Sequence, residues 1–200
     1  MTSLSRLVLL TAGALTAGGC GSAVSGDAVS ATVTASSNTL TRAGSSPAVS
    51  NTLPAPHAPP DHNSDGTTFD PCLTYSAAEL MAWGVDPASV EDAADGLQRG
   101  CIWKGDGWVL QQLVNNQTIA DYLNLDNYPD ARPLNVAGLQ GSVDRGQQKG
   151  TTFCSVQIPS QKSAVATLVS VRDSKAEKVI PDACVKAVEI ATATAGKLPK

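Results

Sequence analysis

Cysteine is the residue type that carries most of the chemical information in this sequence, and five cysteines are present. Cys20 lies near the N-terminus, whereas Cys72, Cys101, Cys154 and Cys184 lie in the second part of the chain. Four cysteines in a secreted domain typically form two disulfides, and the fifth then needs a separate explanation. Four thiolates can also ligate structural zinc, although the sequence contains no Cys-x-x-Cys pair.

The positions of the four later cysteines favour one of the three possible pairings. Cys72 begins the first predicted helix and Cys101 lies in the first predicted strand. Cys154 lies in a middle strand and Cys184 on the inner face of the last helix. Bridges between neighbours in the sequence would each join a terminal helix to the sheet without crossing it. We therefore predict the disulfides Cys72–Cys101 and Cys154–Cys184, with zinc ligation as the alternative.

Other groups suited to catalysis or metal binding are few. No histidine follows residue 67, which excludes Ser-His-Asp and Cys-His catalysis and His-liganded zinc in that region of a single chain. A Gly-x-Ser-x-Gly motif and a Gly-rich phosphate loop are also absent. His57 and His62, with Asp61, would bind a metal only weakly, because we expect them in a solvated linker. The sequence predicts no catalytic residue, metal ligand or cofactor.

Paired carboxylates and exposed tryptophans are the remaining candidates for a site. The acidic residues cluster at Asp86, Glu91, Asp92 and Asp95. Such a cluster could serve a glycosidase or bind calcium, but the spacing is not that of an EF-hand and we expect a solvated loop.

Trp103 and Trp108 flank a predicted hairpin turn. If these two side chains are exposed, they would stack on sugars or acyl chains. We favour core packing for both, with Trp103 near the Cys72–Cys101 bridge.

The N-terminus has the pattern of a lipoprotein signal peptide. Arg6 supplies positive charge, and residues 7–15 are apolar but too few to span a bilayer. The small residues before Cys20 resemble a lipobox, although Ala17 stands where Leu is usual. Ordinary signal-peptide cleavage would leave Cys20 as an exposed thiol in an oxidising compartment. We predict cleavage before Cys20, its lipidation with two or three acyl chains such as palmitate, and anchoring on the extracytoplasmic face of the cell membrane.

Composition divides the chain into three segments. Residues 1–19 form the signal peptide. Residues 20–66 comprise the lipidated cysteine and a Ser/Thr/Pro-rich linker with few large apolar residues, which we expect to be disordered. Residues 67–200 form the folded domain. The net charge of −4 and the absence of a basic run argue against a nucleic-acid partner.

Local patterns within residues 67–200 predict an α+β domain. Ser76 and Glu79 form a capping-box motif, Gly84 suits the end of that helix, and Leu73, Leu80 and Met81 belong to its apolar stripe. The other predicted elements are a hairpin at 100–114, a short helix at 119–125, strands at 136–144, 151–158 and 165–171, and a helix from 181 to 196. We expect a mostly antiparallel sheet of about five strands, packed by the N- and C-terminal helices and held by two disulfides.

Several of these motifs together resemble a known family. Asp70-Pro71-Cys72 before a capped helix, Gly100-Cys101-Ile102-Trp103, the Cys154 strand and the Cys184 helix are similar to those of uncharacterised lipoproteins of mycobacteria and related actinobacteria, of the LprB/LprC-like type. The resemblance covers about residues 68–198. It implies a cell-envelope location and two disulfides, and it implies no established activity.

These observations favour a membrane-anchored cell-envelope lipoprotein that is not an enzyme. We expect a binding or accessory module for an envelope lipid, glycan or protein, attached to the membrane through Cys20. The alternative is an envelope hydrolase that uses carboxylates alone. An apolar cavity under the sheet would favour the first, and two convergent carboxylates roughly 5–9 Å apart would favour the second.

Overall fold

The computed structural model describes residues 57–146 and 150–200. The predictions for Cys20, the signal peptide and most of the linker lie outside these ranges. Within them the helices are α1 (Pro71–Thr74), α2 (Ala77–Trp83), α3 (Ile119–Tyr122), α4 (Ser174–Val179) and α5 (Ala183–Ala195). The strands are β1 (Val85–Asp92), β2 (Arg99–Gly105), β3 (Trp108–Asn115), β4 (Arg132–Val136), β5 (Leu139–Asp144), β6 (Phe153–Ser160) and β7 (Ser163–Val171).

The described strands form one sheet in the order β1-β2-β3-β7-β6-β5-β4, with every neighbouring pair antiparallel. The predicted α+β class and antiparallel sheet are confirmed. The predicted number of strands, about five, is wrong, because these residues form seven. The two additional strands, β1 and β4, are the edges of the sheet, where only one side of a strand is paired.

β1 occupies the acidic stretch that we expected to be a loop. Its pairing with β2 shifts register between Asp86 and Glu91, and its second half is largely exposed. An edge strand with this irregularity lacks the apolar alternation by which a strand is recognised. The charged side chains also protect the open edge from pairing with another chain.

β4 and β5 replace the single interrupted strand that was predicted. Ala137 and Gly138 have φ angles of +50° and +90°, and the flanking Val136 and Leu139 are paired. Two successive positive φ angles between paired residues are typical of a type I′ hairpin turn. Gly138 therefore reverses the chain.

The predicted hairpin and first long helix are confirmed, with one correction. β2 and β3 pair around Asp106 and Gly107. The α2 helix begins at the Ser76 capping box and ends at Gly84, which has a φ of +91°. Its expected apolar stripe is only partly correct. Leu80 is fully buried, but Leu73 and Met81 are 58% and 55% exposed.

The last helix and both disulfides agree with the prediction. The α5 helix begins after Asp182, whose carboxylate accepts a hydrogen bond from the backbone N–H of residue 184. Cys72 pairs with Cys101 and Cys154 with Cys184, with Cα–Cα distances of 5.3 and 4.9 Å. The short helix α4, before α5, was not predicted.

The core lies between the sheet and the helices. Within this core, the Tyr75 ring makes edge-on contacts with Trp83 and Trp103 at ring-centroid distances of 5.1 and 6.0 Å. The Tyr75 hydroxyl lies 2.9 Å from the Thr194 hydroxyl on α5, linking the two ends of the domain. Trp103 and Trp108 are 0% and 5% exposed, so the core placement of both is confirmed.

Residues 57–66, which the prediction assigned to the disordered linker, contact the domain. His57 contacts Asp70 at 2.8 Å, and the Asn63 side chain donates to the carbonyl of Gly96. Ser64 is 1% exposed, and its carbonyl accepts a hydrogen bond from the buried Arg99 guanidinium. These contacts have no recognisable pattern in the sequence, since each is a single polar bond rather than part of an apolar period.

Candidate functional site

The face of the sheet opposite α5 carries polar side chains that are nevertheless buried. Cys154 of β6 points towards α5, where its disulfide partner lies, so the alternating residues Ser155 and Gln157 point to the other face. Asp144 and Ser142 of β5 are directly opposite them in the register. All four are at most 6% exposed. Buried polar side chains in adjacent strands require hydrogen-bond partners.

Gln157 supplies those partners and holds the group together. Its Oε1 accepts a hydrogen bond from Ser142 at 2.7 Å. Its Nε2 lies 2.6 Å from the Ser155 hydroxyl and donates to Asp144 Oδ2 at 3.0 Å. The other oxygen of Asp144 accepts from the backbone N–H of Gly146 at 2.9 Å. The Asp144 carboxylate is thus fixed by neutral donors.

A short helix and the loop after it build an aromatic wall above this polar floor. Thr118 and Asp121 form a capping box at the start of α3, which directs Tyr122 onto the sheet. The Tyr122 hydroxyl accepts from Asn115 at 2.6 Å, and its ring lies 5.1 Å from that of Tyr128. We name the resulting cavity, of about 360 Å³, the sheet-face pocket. Its principal lining residues are Leu113, Asn115, Tyr122, Tyr128, Asp130, Asp144, Phe153, Gln157 and Leu168.

The electrostatics of the sheet-face pocket are dominated by two carboxylates. Burial raises the pKa of Asp144, the hydrogen bonds from Gln157 and Gly146 partly oppose this rise, and the nearby charge of Asp130 adds to it. One oxygen of Asp130 accepts from the backbone N–H of Arg145 at 2.6 Å. The other is buried and has no hydrogen-bond partner within the described part of the chain. Burial also raises the pKa of Tyr122 to about 12, so its hydroxyl stays protonated at neutral pH.

Another concavity, the apolar groove, lies between the β2–β3 turn and the α4–α5 corner. It measures about 410 Å³ and is lined chiefly by Trp83, Trp108, Val179, Ile180 and Val185. Val179 and Val185 are 79% and 72% exposed. Lys175 and Asp106 form an ion pair on its rim. The groove presents apolar surface and no buried ionisable group of the kind found in the sheet-face pocket.

The acidic residues that cluster in the sequence make local contacts in the fold. Asp86, Asp92 and Asp95 each accept hydrogen bonds from backbone N–H groups two residues further on, and so stabilise turns. Glu91 forms an exposed ion pair with Lys104. None of the four lines the sheet-face pocket or the apolar groove.

The weak metal site considered at His57, His62 and Asp61 is not assembled either. The group of potential ligands that the structure brings together is His57, Asp70 and Cys72. Cys72 is in a disulfide, so it offers no thiolate.

Sequence reasoning missed the residues of the sheet-face pocket. Asp130 and Asp144 are isolated acids in the sequence, and they come together only through pairing of β5 with β6 and folding of the α3 loop. One signal was present: Ser155 and Gln157 alternate with apolar residues in an otherwise buried strand. Such alternation indicates a polar face, but it does not say what covers that face.

Fold and site together define a small disulfide-bonded α+β domain with a ligand-sized cavity on one side of its sheet. Residues 15–197 match the family described as "Protein of unknown function (DUF3558)", and the chain belongs to this family. No curated protein and no solved structure matches the chain. Among the described helices, none has the length and apolar character needed to cross a membrane.

Proposed function

We propose that this protein is a cell-envelope lipoprotein, anchored through Cys20, whose domain binds a small ligand in the sheet-face pocket without transforming it. The observation that carries the proposal is Asp144, a carboxylate 6% exposed at the floor of an aromatic-walled cavity. Burying a charge among neutral donors costs free energy, and functional sites are where proteins tolerate that cost. The cavity volume is in the range of small-molecule sites.

The envelope location rests on the N-terminal sequence and on the disulfides. The Ala-Gly-Gly segment before Cys20 follows a short apolar run, and two disulfides suit an oxidising compartment. Replacing Cys20 with Ala tests the anchor. We expect the variant to move from the membrane to the culture fraction. A variant that stays as membrane-bound as the parent and matures identically contradicts lipidation.

A carboxylate-based hydrolase is the second candidate, because Asp130 and Asp144 line the same cavity and burial raises the pKa of Asp144. A raised pKa suits a general acid. However, both oxygens of Asp144 already accept hydrogen bonds from Gln157 and Gly146, and these bonds favour the ionised carboxylate over the protonated acid. This arrangement favours binding over proton transfer.

Recovery of bound molecules from native membranes distinguishes these functions. The mature protein is purified alongside Tyr128→Ala, which removes one wall of the pocket, and Leu125→Ala, a matched truncation on the same loop. Leu125 is 58% exposed and is not part of the pocket lining. Mass spectrometry should find a small molecule with the parent and Leu125→Ala but not with Tyr128→Ala.

Equal recovery from all three proteins would exclude the sheet-face pocket as the binding site. Cleavage of envelope glycans by the parent, abolished in Asp144→Asn, would instead support the hydrolase.

A further inference from the structure

The charge of the sheet-face pocket is unbalanced. Asp130 and Asp144 are its ionisable acids, and no lysine, arginine or histidine of the described residues lines it. Arg145 follows Asp144 directly, but Nη2 of its guanidinium contacts both carboxylate oxygens of Asp182, the residue before α5, at 3.0 and 2.8 Å. That contact holds the arginine on the opposite face of the sheet. The negative charge of the pocket therefore has no compensating cation among the described residues that line it.

The neutral polar side chains at the floor of the pocket, on β3, β5 and β6, are already hydrogen-bonded. Both ends of the Gln157 amide take part in the network with Ser142, Ser155 and Asp144. The Asn115 amide donates to Tyr122 and accepts from the backbone N–H of Gln117. At this floor a sugar or another neutral polyol would find few vacant partners, and the two carboxylates would repel an anion. One carboxylate oxygen of Asp130 is buried and has no hydrogen-bond partner among the described residues.

The walls suit a positively charged ligand as well. Three aromatic side chains, Tyr122, Tyr128 and Phe153, line the cavity. The electron-rich faces of aromatic rings attract cations, and this attraction strengthens where water is excluded. Aromatic walls combined with carboxylates are the usual means of holding an ammonium group.

We propose that the sheet-face pocket recognises a small organic cation, whose ammonium group lies between the aromatic walls and the carboxylates of Asp130 and Asp144. This inference rests on the proposed function, which requires a ligand in the pocket, and it specifies the ligand's chemical class. An ammonium group supplies a positive charge beside the two carboxylates.

Calorimetric titration of the mature protein tests the inference with matched probes. Choline, tetramethylammonium and methylammonium chlorides are compared with 3,3-dimethylbutan-1-ol, in which a carbon atom replaces the choline nitrogen. We expect at least one ammonium compound to bind with a Kd of about 1 mM or tighter, and choline to bind at least about tenfold more tightly than its neutral analogue.

Substitutions that remove the charge of one carboxylate at a time test which residues bind the ammonium group. Asp130→Asn should raise the Kd of the tightest-binding ammonium probe by about tenfold, because this substitution keeps the shape of the side chain and removes its charge. Asp144→Asn should do the same, provided that its circular dichroism spectrum matches the parent. The control is Asp86→Asn, which removes one negative charge from the exposed edge strand and should leave binding unchanged.

The possible outcomes separate the two proposals. If none of the ammonium probes binds, or if the neutral analogue binds as tightly, the cation inference is wrong. The binding function would still stand if a neutral molecule co-purified with the parent and not with Tyr128→Ala. If no ammonium probe binds and no small molecule co-purifies with the parent protein, both proposals are wrong.

Discussion

Glu79 joins the two ends of the domain through a single carboxylate. It closes the capping box with Ser76 and contacts the Lys197 ammonium at 2.7 Å. These hydrogen bonds lower the pKa of Glu79 to about 2. The two side chains are 36% and 28% exposed, so solvent screening reduces the free energy that the pair contributes.

We expect Glu79→Gln to lower the free energy of unfolding at pH 7 by at most about 1 kcal/mol. A carboxyl group with a lowered pKa in the folded state stabilises it above the unfolded pKa, near 4.5, and loses this effect as the pH falls towards 2. Urea unfolding at pH 7 and at pH 2.5 should therefore show the difference between parent and variant shrinking in acid. A difference independent of pH would mean that charge is not its cause.

Asp144 should have the opposite pH dependence, because burial raises its pKa. The folded state then favours the protonated carboxyl group. Its contribution to stability is greatest below the unfolded pKa, near 3.8, and declines as the pH rises through the folded value. The melting temperature of the parent should therefore increase relative to Asp144→Asn as the pH falls from 7 to 4. A constant or reversed difference would show that the carboxylate is not desolvated.

At the level of elements, each disulfide closes a loop and joins a helix to the sheet. The bridges Cys72–Cys101 and Cys154–Cys184 span 29 and 30 residues. In the chain-entropy model, a disulfide that closes a loop of this length raises the free energy of unfolding by about 3–4 kcal/mol. Replacing Cys154 and Cys184 together by Ala should lower the free energy of unfolding by about this amount in chemical denaturation. Non-reducing peptide mapping checks the pairing itself, and a peptide linking Cys72 to Cys154 would contradict the fold.

The β4–β5 turn offers a substitution that should increase stability. Ala137 adopts a φ of +50°, which is unfavourable for alanine and tolerated by asparagine. Asn-Gly is also the preferred pair for a type I′ turn. We expect Ala137→Asn to raise the free energy of unfolding by about 0.5 kcal/mol, measured by urea denaturation. Gly138→Val is the opposing control and should destabilise, since Gly138 has a φ of +90°.

Comparison of the elements shows which parts of the fold were predictable. α2, the β2–β3 hairpin and α5 were recognised because their signals are local: a capping box, a turn and an apolar period. β1 and β4 were missed because edge strands need only one partner and little burial. The sheet-face pocket was missed for a related reason. Its residues are defined by register and by the loop that covers them, neither of which has a local pattern.

At the scale of the whole molecule, the N-terminal boundary of the domain is open to direct measurement. Because Ser64 is buried and residues 57–66 contact several parts of the domain, limited proteolysis of the mature protein should leave a resistant core that begins near His57. Mass spectrometry of the fragments locates this boundary. A core that begins near residue 67 would show that these contacts are too weak to resist cleavage. A core that retains residues 30–50 would contradict the prediction that the linker is disordered.

The order of the described strands divides the sheet into two consecutive stretches of chain, β1-β2-β3 and β4-β5-β6-β7, which meet where β3 pairs with β7. The first stretch contains the Cys101 of one bridge and the second the Cys154 of the other, and neither bridge crosses between them. A chain that emerges N-terminus first into an oxidising space would therefore expose both partners of the first bridge before either partner of the second. Oxidation in order of emergence then yields the native pairs, and folding of this domain should not depend on a disulfide isomerase.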